Sequence, residues 1–464
     1  MLELSSLALL GEAAERLDRG FAGLPPFEGE DDIGDMRAVL LEVADRLQDN
    51  YPYPHPMYAG QMLKPPHPLA RLAYALAMWV NPNNHALDGG RASSAMEKEA
   101  VAEIASMYGW STHLGHLCAG GTMANLEALW VAGQSRPGKV IVASQQAHYT
   151  HRRIAAVLQL PFTAVECDSA ARMDLGALET ILATGEVGTV IATMGTTATG
   201  SVDPLPGLLD LQAAYGFRLH ADAAYGGYFG LVDNLRPETR AAFDQLHRVD
   251  SIAIDPHKHG LQPYGCGCIL FKDPAVGLLY EHDSPYTYFT SSALHLGEIS
   301  LECSRAGASA VALWATQRLL PLVPGGAFAD RLARSREAAL HLAASVQADD
   351  DWGLAFDPEL DIVVWAPRAT TAVEISRLSR ATFDAAAGLD LHLAVATFPA
   401  ALLRHRWPDV VWDQDDVACL RSCLMKPEHL AWVGRVWESV RAAGDEVRAR
   451  QGTSEGTTGA GRLA

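Results

Sequence analysis

Two residues with chemistry of their own, Asp222 and Lys258, stand 36 positions apart (258 − 222), and each follows an apolar run. Residues 217–221 and 251–254 form the two runs, and both have the length of a buried strand. A strand that delivers an Asp, followed by one that delivers a Lys, is what pyridoxal phosphate requires: the Lys forms a Schiff base, and the Asp keeps the pyridine nitrogen protonated. A structural salt bridge at Asp222 and a surface position for Lys258 are the alternatives, which the apolar and small neighbours disfavour.

A glycine pair upstream could bind the phosphate of such a cofactor. Gly120, Gly121 and Thr122 precede a predicted helix at 122–132. Glycine lets the backbone approach an anion, and the first N–H groups of a helix point towards it. Alone the motif is weak, because Thr122 is also an ordinary helix cap. It gains weight from the Asp and the Lys that follow in order.

Two further polar residues stand at predicted strand ends. His148 follows the strand predicted at 140–143, where an imidazole could stack on the pyridine ring and exchange a proton. Thr197 follows the strand predicted at 187–194, where its hydroxyl could contact the cofactor. A loop histidine without a role and a turn of small residues are the alternatives.

The elements that must position these residues alternate between strand and helix from about 93 to 275. Strands are predicted at 140–143, 187–194, 217–221, 251–254 and 266–271. Helical stretches such as 205–215 separate most of them, which favours βαβ units and a mainly parallel sheet. In such sheets the ligand site lies at the carboxyl ends of the strands, where Asp222, Lys258 and Thr197 all stand.

Composition divides the chain into four predicted parts. Residues 1–90 form a helical and proline-rich extended segment, 91–325 a large cofactor-binding domain, 326–450 a small α+β domain and 451–464 a disordered tail rich in Gly, Thr and Ser. No secretory leader and no apolar run of membrane-spanning length is evident.

Charge and cysteine usage limit the partners and the compartment. The formal net charge of −19 disfavours nucleic acids and anionic membranes as partners. Seven scattered cysteines predict reduced thiols in the cytoplasm. Cys266 and Cys268 could pair with a metal or with each other, but two small buried side chains are the favoured interpretation. No third ligand accompanies His113 and His116, so no metal site is predicted.

The chain resembles the pyridoxal-phosphate-dependent group II amino-acid decarboxylases of fold type I, a family that includes aromatic-amino-acid, tyrosine and glutamate decarboxylases. The resemblance covers roughly residues 50–450 and rests on six segments in the family's order: 120–122, 146–149, 195–197, 222–227, 255–258 and 303–307. It implies an α/β fold with a mainly parallel, seven-stranded-type sheet in the large domain, helices on both faces, and a small C-terminal α+β domain. It also implies a homodimer with the active site at the interface.

The resemblance assigns a role to each candidate residue. Lys258 would hold the cofactor, His148 would stack on its ring, and Asp222 would pair with its nitrogen. The remaining cofactor ligands would be Gly120, Gly121, Thr122, Thr197, Ala224, His257 and, from the neighbouring subunit, Ser291 or Thr290.

The substrate side is less specific. Arg305 would meet a substrate carboxylate, although an ion pair at a helix start is an equal alternative. Tyr58 and Gln61 would contact the substrate, and Tyr286 or Tyr288 would protonate Cα of the quinonoid intermediate.

The predicted reaction is decarboxylation of an L-amino acid, acidic or aromatic, to its amine. His259 replaces the bulky aromatic residue usual after the Lys, so other reactions of the same cofactor stay open: carbon–carbon or carbon–sulfur lyase, aminotransferase, or decarboxylation with oxidative deamination. A non-catalytic homologue is the less favoured alternative.

Overall fold

The computed structural model describes residues 4–25, 34–85, 89–280 and 300–457, with side chains to residue 450. Within them a large sheet has seven strands in the order β1-β7-β6-β5-β4-β2-β3. Their bounds are β1 Leu114–Cys118, β2 Val140–Ser144, β3 Phe162–Val165, β4 Val187–Thr193, β5 Arg218–Asp222, β6 Ser251–Ile254 and β7 Gly267–Phe271. Only β7 runs antiparallel to its neighbours, so the predicted fold class is confirmed.

Helices alternate with these strands. Those up to the end of the large sheet are α1 Leu7–Arg19, α2 Met36–Leu47, α3 Pro68–Met78, α4 Arg91–Met107, α5 Gly121–Ser135, α6 Thr150–Val157, α7 Leu175–Leu182, α8 Leu205–Tyr215 and α9 Pro237–Asp244. Gly216 ends α8 with φ 74°, a left-handed conformation that glycine adopts without strain. The central strands are buried on both faces, and most of their residues are apolar, with Arg218 and His220 of β5 as polar exceptions.

A second, antiparallel sheet follows in the chain, in the order β10-β11-β9-β8. Its strands are β8 Trp352–Phe356, β9 Ile362–Pro367, β10 Ala394–Pro399 and β11 Asp416–Cys423. The accompanying helices are α10 Gly307–Leu319, α11 Ala327–Gln347, α12 Ala372–Ala387 and α13 His429–Thr457. Helix α13 extends to Thr457, into the segment from residue 451 that the sequence assigned to a disordered tail.

The two N-terminal helices differ from the helices that pack against the sheets, because neither α1 nor α2 buries a residue. Apolar side chains such as Leu7, Leu9, Val39 and Leu40 are more than half exposed, from 56% to 60%. Helix α3, by contrast, packs against α10. Among the helices that the structure describes, none combines the length and the apolar composition that crossing a bilayer requires.

Candidate active site

A cavity of about 450 Å³ opens at the carboxyl ends of the strands of the large sheet. Loops after β1, β2, β4, β5 and β6 line it. Nine residues predicted for the cofactor contribute to that lining: Gly120, Gly121, Thr122, His148, Thr197, Asp222, Ala224, His257 and Lys258. The topology therefore brings residues from 120 to 258 to one place, as expected of a sheet of this kind.

Lys258 reaches into this cavity from the loop after β6. Its Nζ atom lies 3.0 Å from Oδ2 of Asp255, which is buried. The other carboxylate oxygen of Asp255 has no hydrogen-bond partner among the described residues. The ion pair thus directs a primary amine towards the cavity.

Asp222 ends β5 and presents a buried carboxylate to the same cavity. Its Oδ1 atom accepts a hydrogen bond from the backbone N–H of Ala224 at 3.1 Å, and its Oδ2 atom lies 2.8 Å from Nε2 of His151. Burial alone would raise the pKa of Asp222, but the hydrogen bond and charge of His151, together with Lys258 and His220, hold that pKa well below its usual value. An ionised carboxylate is what a protonated pyridine nitrogen needs.

His148 lines the cavity at the start of α6. Burial lowers the pKa of its imidazole, the charge of Asp222 opposes this effect, and Lys258 adds to the lowering. The ring is therefore largely neutral near pH 7. A neutral imidazole can lie against an aromatic ring and accept a proton, as the sequence predicted for this position.

The Gly120–Gly121 turn forms a cradle that larger residues would fill. Gly120 has φ +155°, and a Cβ there would come within 3.1 Å of His257. A Cβ on Gly121 would lie 2.7 Å from Oδ2 of Asp255 and 3.2 Å from Cβ of Ala224. The turn opens the 15-residue helix α5, whose first N–H groups and dipole attract an anion.

A chain of buried hydrogen bonds supports that turn from behind. Asn125 donates to the carbonyl of Gly121 at 2.8 Å and lies 2.8 Å from Nε2 of His220, whose Nδ1 lies 2.9 Å from the hydroxyl of Ser251. Burial lowers the pKa of His220 to about 3, so the neutral ring donates one hydrogen bond, from Nε2 to Oδ1 of Asn125, and accepts another at Nδ1 from the hydroxyl of Ser251. The cavity thus offers the glycine turn for a phosphate, Lys258 for an aldehyde and Asp222 for a pyridinium. These three groups are the parts of pyridoxal phosphate.

Sequence reasoning missed His151. It lies in α6, three residues after His148, and its ring is buried. His148 lies just before α6, and its carbonyl accepts from the backbone N–H of His151 at 3.1 Å, but nothing local pointed to Asp222, 71 residues away.

Arg305 requires a correction. Its Nη1 atom donates to Glu97 Oε1 and to the carbonyl of Leu117, both at 2.6 Å, and its Nη2 atom donates to the carbonyl of Asn84 at 2.8 Å. The side chain is 6% exposed and does not line the cavity. The guanidinium is thus committed to an ion pair at the start of α10, the alternative interpretation, rather than to a substrate carboxylate.

Tyr58 also lies away from the cavity. It is buried, its ring packs edge-on against Tyr53 at 4.9 Å, and its backbone forms an isolated bridge with His392. In this arrangement the side chain of Tyr58 does not reach the cavity, so it does not contact a substrate bound there. The side chain fills space between the N-terminal segment and the small domain.

Gln61 reaches the cavity region through a residue that sequence reasoning missed, Arg421. Nη2 of Arg421 donates to Oε1 of Gln61 at 2.7 Å, and Nη1 donates to the carbonyl of Thr197 at 3.1 Å. Arg421 is buried on β11, and its Nε–H has no acceptor among the described residues. An arginine inside an otherwise apolar strand was the available indication.

His259, the departure from the family noted after Lys258, belongs to a joint between the two domains. Its Nε2 atom lies 3.2 Å from Oδ2 of Asp361, and the hydroxyl of Tyr225 donates to Oδ1 of Asp361 at 2.6 Å. Asp361 directly precedes β9 of the small domain, and all three residues are buried. Tyr286, Tyr288, Thr290 and Ser291 lie outside the described residues.

Comparison with known proteins places these features in a family. The family model described as "Pyridoxal-dependent decarboxylase conserved domain" matches residues 134–367. An L-tyrosine decarboxylase of Enterococcus faecium is 29% identical over 76% of this chain and 76% of its own length. A probable L-tyrosine/L-aspartate decarboxylase of Methanothermobacter thermautotrophicus is 31% identical over 66% of this chain and 82% of its own length.

Solved structures support the fold. The chain superposes on Oryza sativa TDC with PLP and tryptamine with a TM-score of 0.76 at 17% identity, covering 96% of this chain and 99% of that one. Mouse CSAD gives a TM-score of 0.75 at 19% identity over 93% of this chain and 92% of that one.

Proposed function

The chain belongs to the pyridoxal-dependent decarboxylase family, and on that premise we propose how its own residues hold the cofactor and act on the substrate. The protein is a carboxy-lyase that uses pyridoxal phosphate and decarboxylates an amino acid. The observation that carries the residue assignment is that Asp222 and Lys258 face one cavity beside the glycine turn. When bound, the cofactor supplies an aldehyde for covalent attachment and a pyridinium that withdraws electrons from Cα.

Three groups of residues bind and orient the cofactor in this proposal. The turn at Gly120, Gly121 and Thr122, with the N-terminus of α5, binds the phosphate. Lys258 is the point of covalent attachment. Asp222 stays ionised and pairs with the ring nitrogen, which its lowered pKa supports.

The remaining cavity residues act on the ring and on protons. His148 covers one face of the ring and, being neutral, can take up or return a proton at the substrate's Cα. Ala224 would lie against the opposite face of the bound ring, and Thr197 and His257 complete the lining of the cavity. Tyr286 stays a candidate proton donor from the sequence alone.

For the substrate we propose an acidic L-amino acid, with tyrosine as the second candidate. Two of the relatives carry names that include tyrosine, and one of these names adds aspartate. Arg421 favours the acidic side chain, because Nη1 of this buried guanidinium donates to the carbonyl of Thr197 in the cavity wall, so a positive charge lies behind that wall. A carboxylate on the substrate side chain would be attracted by that charge, whereas a neutral phenol would not.

We also propose a cytoplasmic homodimer with four parts at the predicted boundaries, 1–90, 91–325, 326–450 and 451–464. The exposed apolar faces of α1 and α2 support the dimer, because a second copy would remove them from water. All seven cysteines are unpaired, which supports a reducing compartment. Two separate sheets support the division between the large and the small domain.

An absorption spectrum tests the assignment most directly. Purified protein loaded with pyridoxal phosphate should show an absorption band near the edge of the visible range, and the Lys258→Ala variant should lack this band. The loaded protein should also release CO2 from aspartate or tyrosine. A band with a keto acid in place of CO2 would favour an aminotransferase, and the absence of any band would reject the site. Lys272→Ala, an exposed lysine of the same domain, serves as the matched control.

A further inference from the structure

Among the described residues, two groups form hydrogen bonds with the carboxylate of Asp222, and one of the two is a side chain. The backbone N–H of Ala224 holds Oδ1, while the imidazole of His151 holds Oδ2. We propose that His151 is a positioning residue, which keeps Asp222 charged and aimed at the ring nitrogen of the cofactor. This inference rests on the function proposed above.

The surroundings of His151 leave it one polar partner. Its Nε2 atom lies 2.8 Å from Oδ2 of Asp222, its side chain is 1% exposed, and its Nδ1 atom has no hydrogen-bond partner among the described residues. A buried polar ring costs free energy unless hydrogen bonds compensate for the lost water. The bond to Asp222 is that compensation, and Nε2 is its donor because an ionised carboxylate can only accept.

The hydrogen bond from His151 matters because it affects whether the carboxyl of Asp222 is charged. The titratable groups around the carboxylate are His151 of α6, His148 and Lys258 of the cavity lining, and His220 of the same strand. Burial is the largest influence on the pKa of Asp222 and acts upward, and the hydrogen bond from His151 is the next largest and acts downward. Without that donor, burial would shift the carboxyl towards its neutral form, which cannot stabilise a protonated pyridine nitrogen.

A purely structural role for His151 makes a different prediction. If the ring only filled space beside β5, a leucine of similar size would serve, and any loss would affect every ligand of the cavity equally. If the ring acts through Asp222, the loss concerns only ligands with a basic ring nitrogen. Glutamine would then restore function, because its Nε2 amide can donate from nearly the same place as the imidazole Nε2.

The test measures cofactor binding rather than turnover. Apo-proteins with His151, His151→Leu and His151→Gln are titrated with pyridoxal phosphate and with its 1-deaza analogue, in which a C–H replaces the ring nitrogen. We expect His151→Leu to bind pyridoxal phosphate about tenfold to a hundredfold more weakly, and His151→Gln to stay within about threefold of the unaltered protein. The analogue should bind all three proteins within about threefold of one another.

Two results would overturn the inference: unchanged binding of pyridoxal phosphate by His151→Leu, or an equal loss for the cofactor and its analogue. Circular dichroism and thermal unfolding of the apo-proteins identify a variant that does not fold. In that case His151→Asn replaces His151→Leu, because its amide stops short of Asp222 while keeping a polar side chain. If the unaltered protein itself fails to bind pyridoxal phosphate, the proposed function fails and the role of His151 fails with it.

Discussion

Arg421 of the small domain donates a hydrogen bond of 3.1 Å to the carbonyl of Thr197, which lines the cavity of the large domain. The bond brings a buried positive charge from β11 to the wall of the proposed active site. Substitution of Arg421 can therefore test whether the substrate has an acidic side chain.

We predict that Arg421→Gln lowers kcat/KM for aspartate by at least about tenfold, because a positive charge behind the cavity wall attracts a substrate carboxylate by roughly 2 kcal/mol at a separation of about 8 Å. Turnover of tyrosine should change much less, since a phenol needs no guanidinium. Steady-state kinetics with both amino acids measures this. Arg377→Gln, an exposed arginine on α12, is the control, and an equal loss for both substrates would contradict the prediction.

Gly121→Ala should weaken binding of pyridoxal phosphate at least about tenfold, because the added Cβ would lie 2.7 Å from the carboxylate of Asp255 and narrow the anion cradle. Fluorescence titration of the apo-protein measures the change. Gly434→Ala, where a Cβ meets nothing within 4 Å, is the matched control and should bind normally. If the two variants bound pyridoxal phosphate equally well, the assignment of the phosphate to this turn would be wrong.

Folding stability should fall as the pH drops below about 6, because two buried histidines remain neutral in the folded chain. Burial lowers the pKa of both His220 and His429 to about 3, so below about 6.5 the unfolded chain binds protons that the folded chain does not. Each histidine should then remove about 1.4 kcal/mol per pH unit from the free energy of unfolding.

The variant His429→Asn tests this pH dependence, because its side-chain oxygen can still accept from the N–H of Lys426 but does not titrate. Urea unfolding between pH 7.5 and pH 5 should show a shallower loss of stability in this variant than in the unaltered protein. His405→Gln, an exposed position, should leave the slope unchanged. A slope that His429→Asn leaves unaltered would argue against the neutral buried state.

Leu40→Asp on α2 should weaken dimerisation at least about tenfold, because a charge would enter the apolar surface that a second copy is proposed to cover. Sedimentation equilibrium measures the dissociation constant. Val411→Asp, which replaces another exposed apolar side chain, should have no effect. A monomeric unaltered protein would refute the dimer outright.

Sequence patterns predicted the centre of the fold because its information is local. A buried parallel strand is mostly an apolar run; Asp222 follows residues 217–221 directly, and Lys258 comes four positions after the run at 251–254. The same reasoning missed β1 and β3. Strand β1 contains Gly115 and His116, which interrupt its apolar run, and three of the four residues of β3 are only partly buried, so β3 lacks the pattern of a buried strand.

Contacts between distant residues were not predictable in this way. The sequence around Arg305 gives no sign of Glu97, 208 positions earlier, whose carboxylate binds its guanidinium. The partnership of His151 with Asp222 and that of Arg421 with Thr197 likewise depend on how helices and domains pack. Spacing indicates which side chains share an element, but it does not indicate which element lies opposite.

The joint formed by His259, Asp361 and Tyr225 makes the two domains poor building blocks for recombination. His259 directly follows the proposed attachment lysine, and its acidic neighbour belongs to the small domain. A chimera that takes its small domain from a relative lacking this carboxylate would leave a buried imidazole and a buried phenol facing an apolar surface. Such a graft would disturb Tyr225, which lines the cavity, unless residue 259 were exchanged with it.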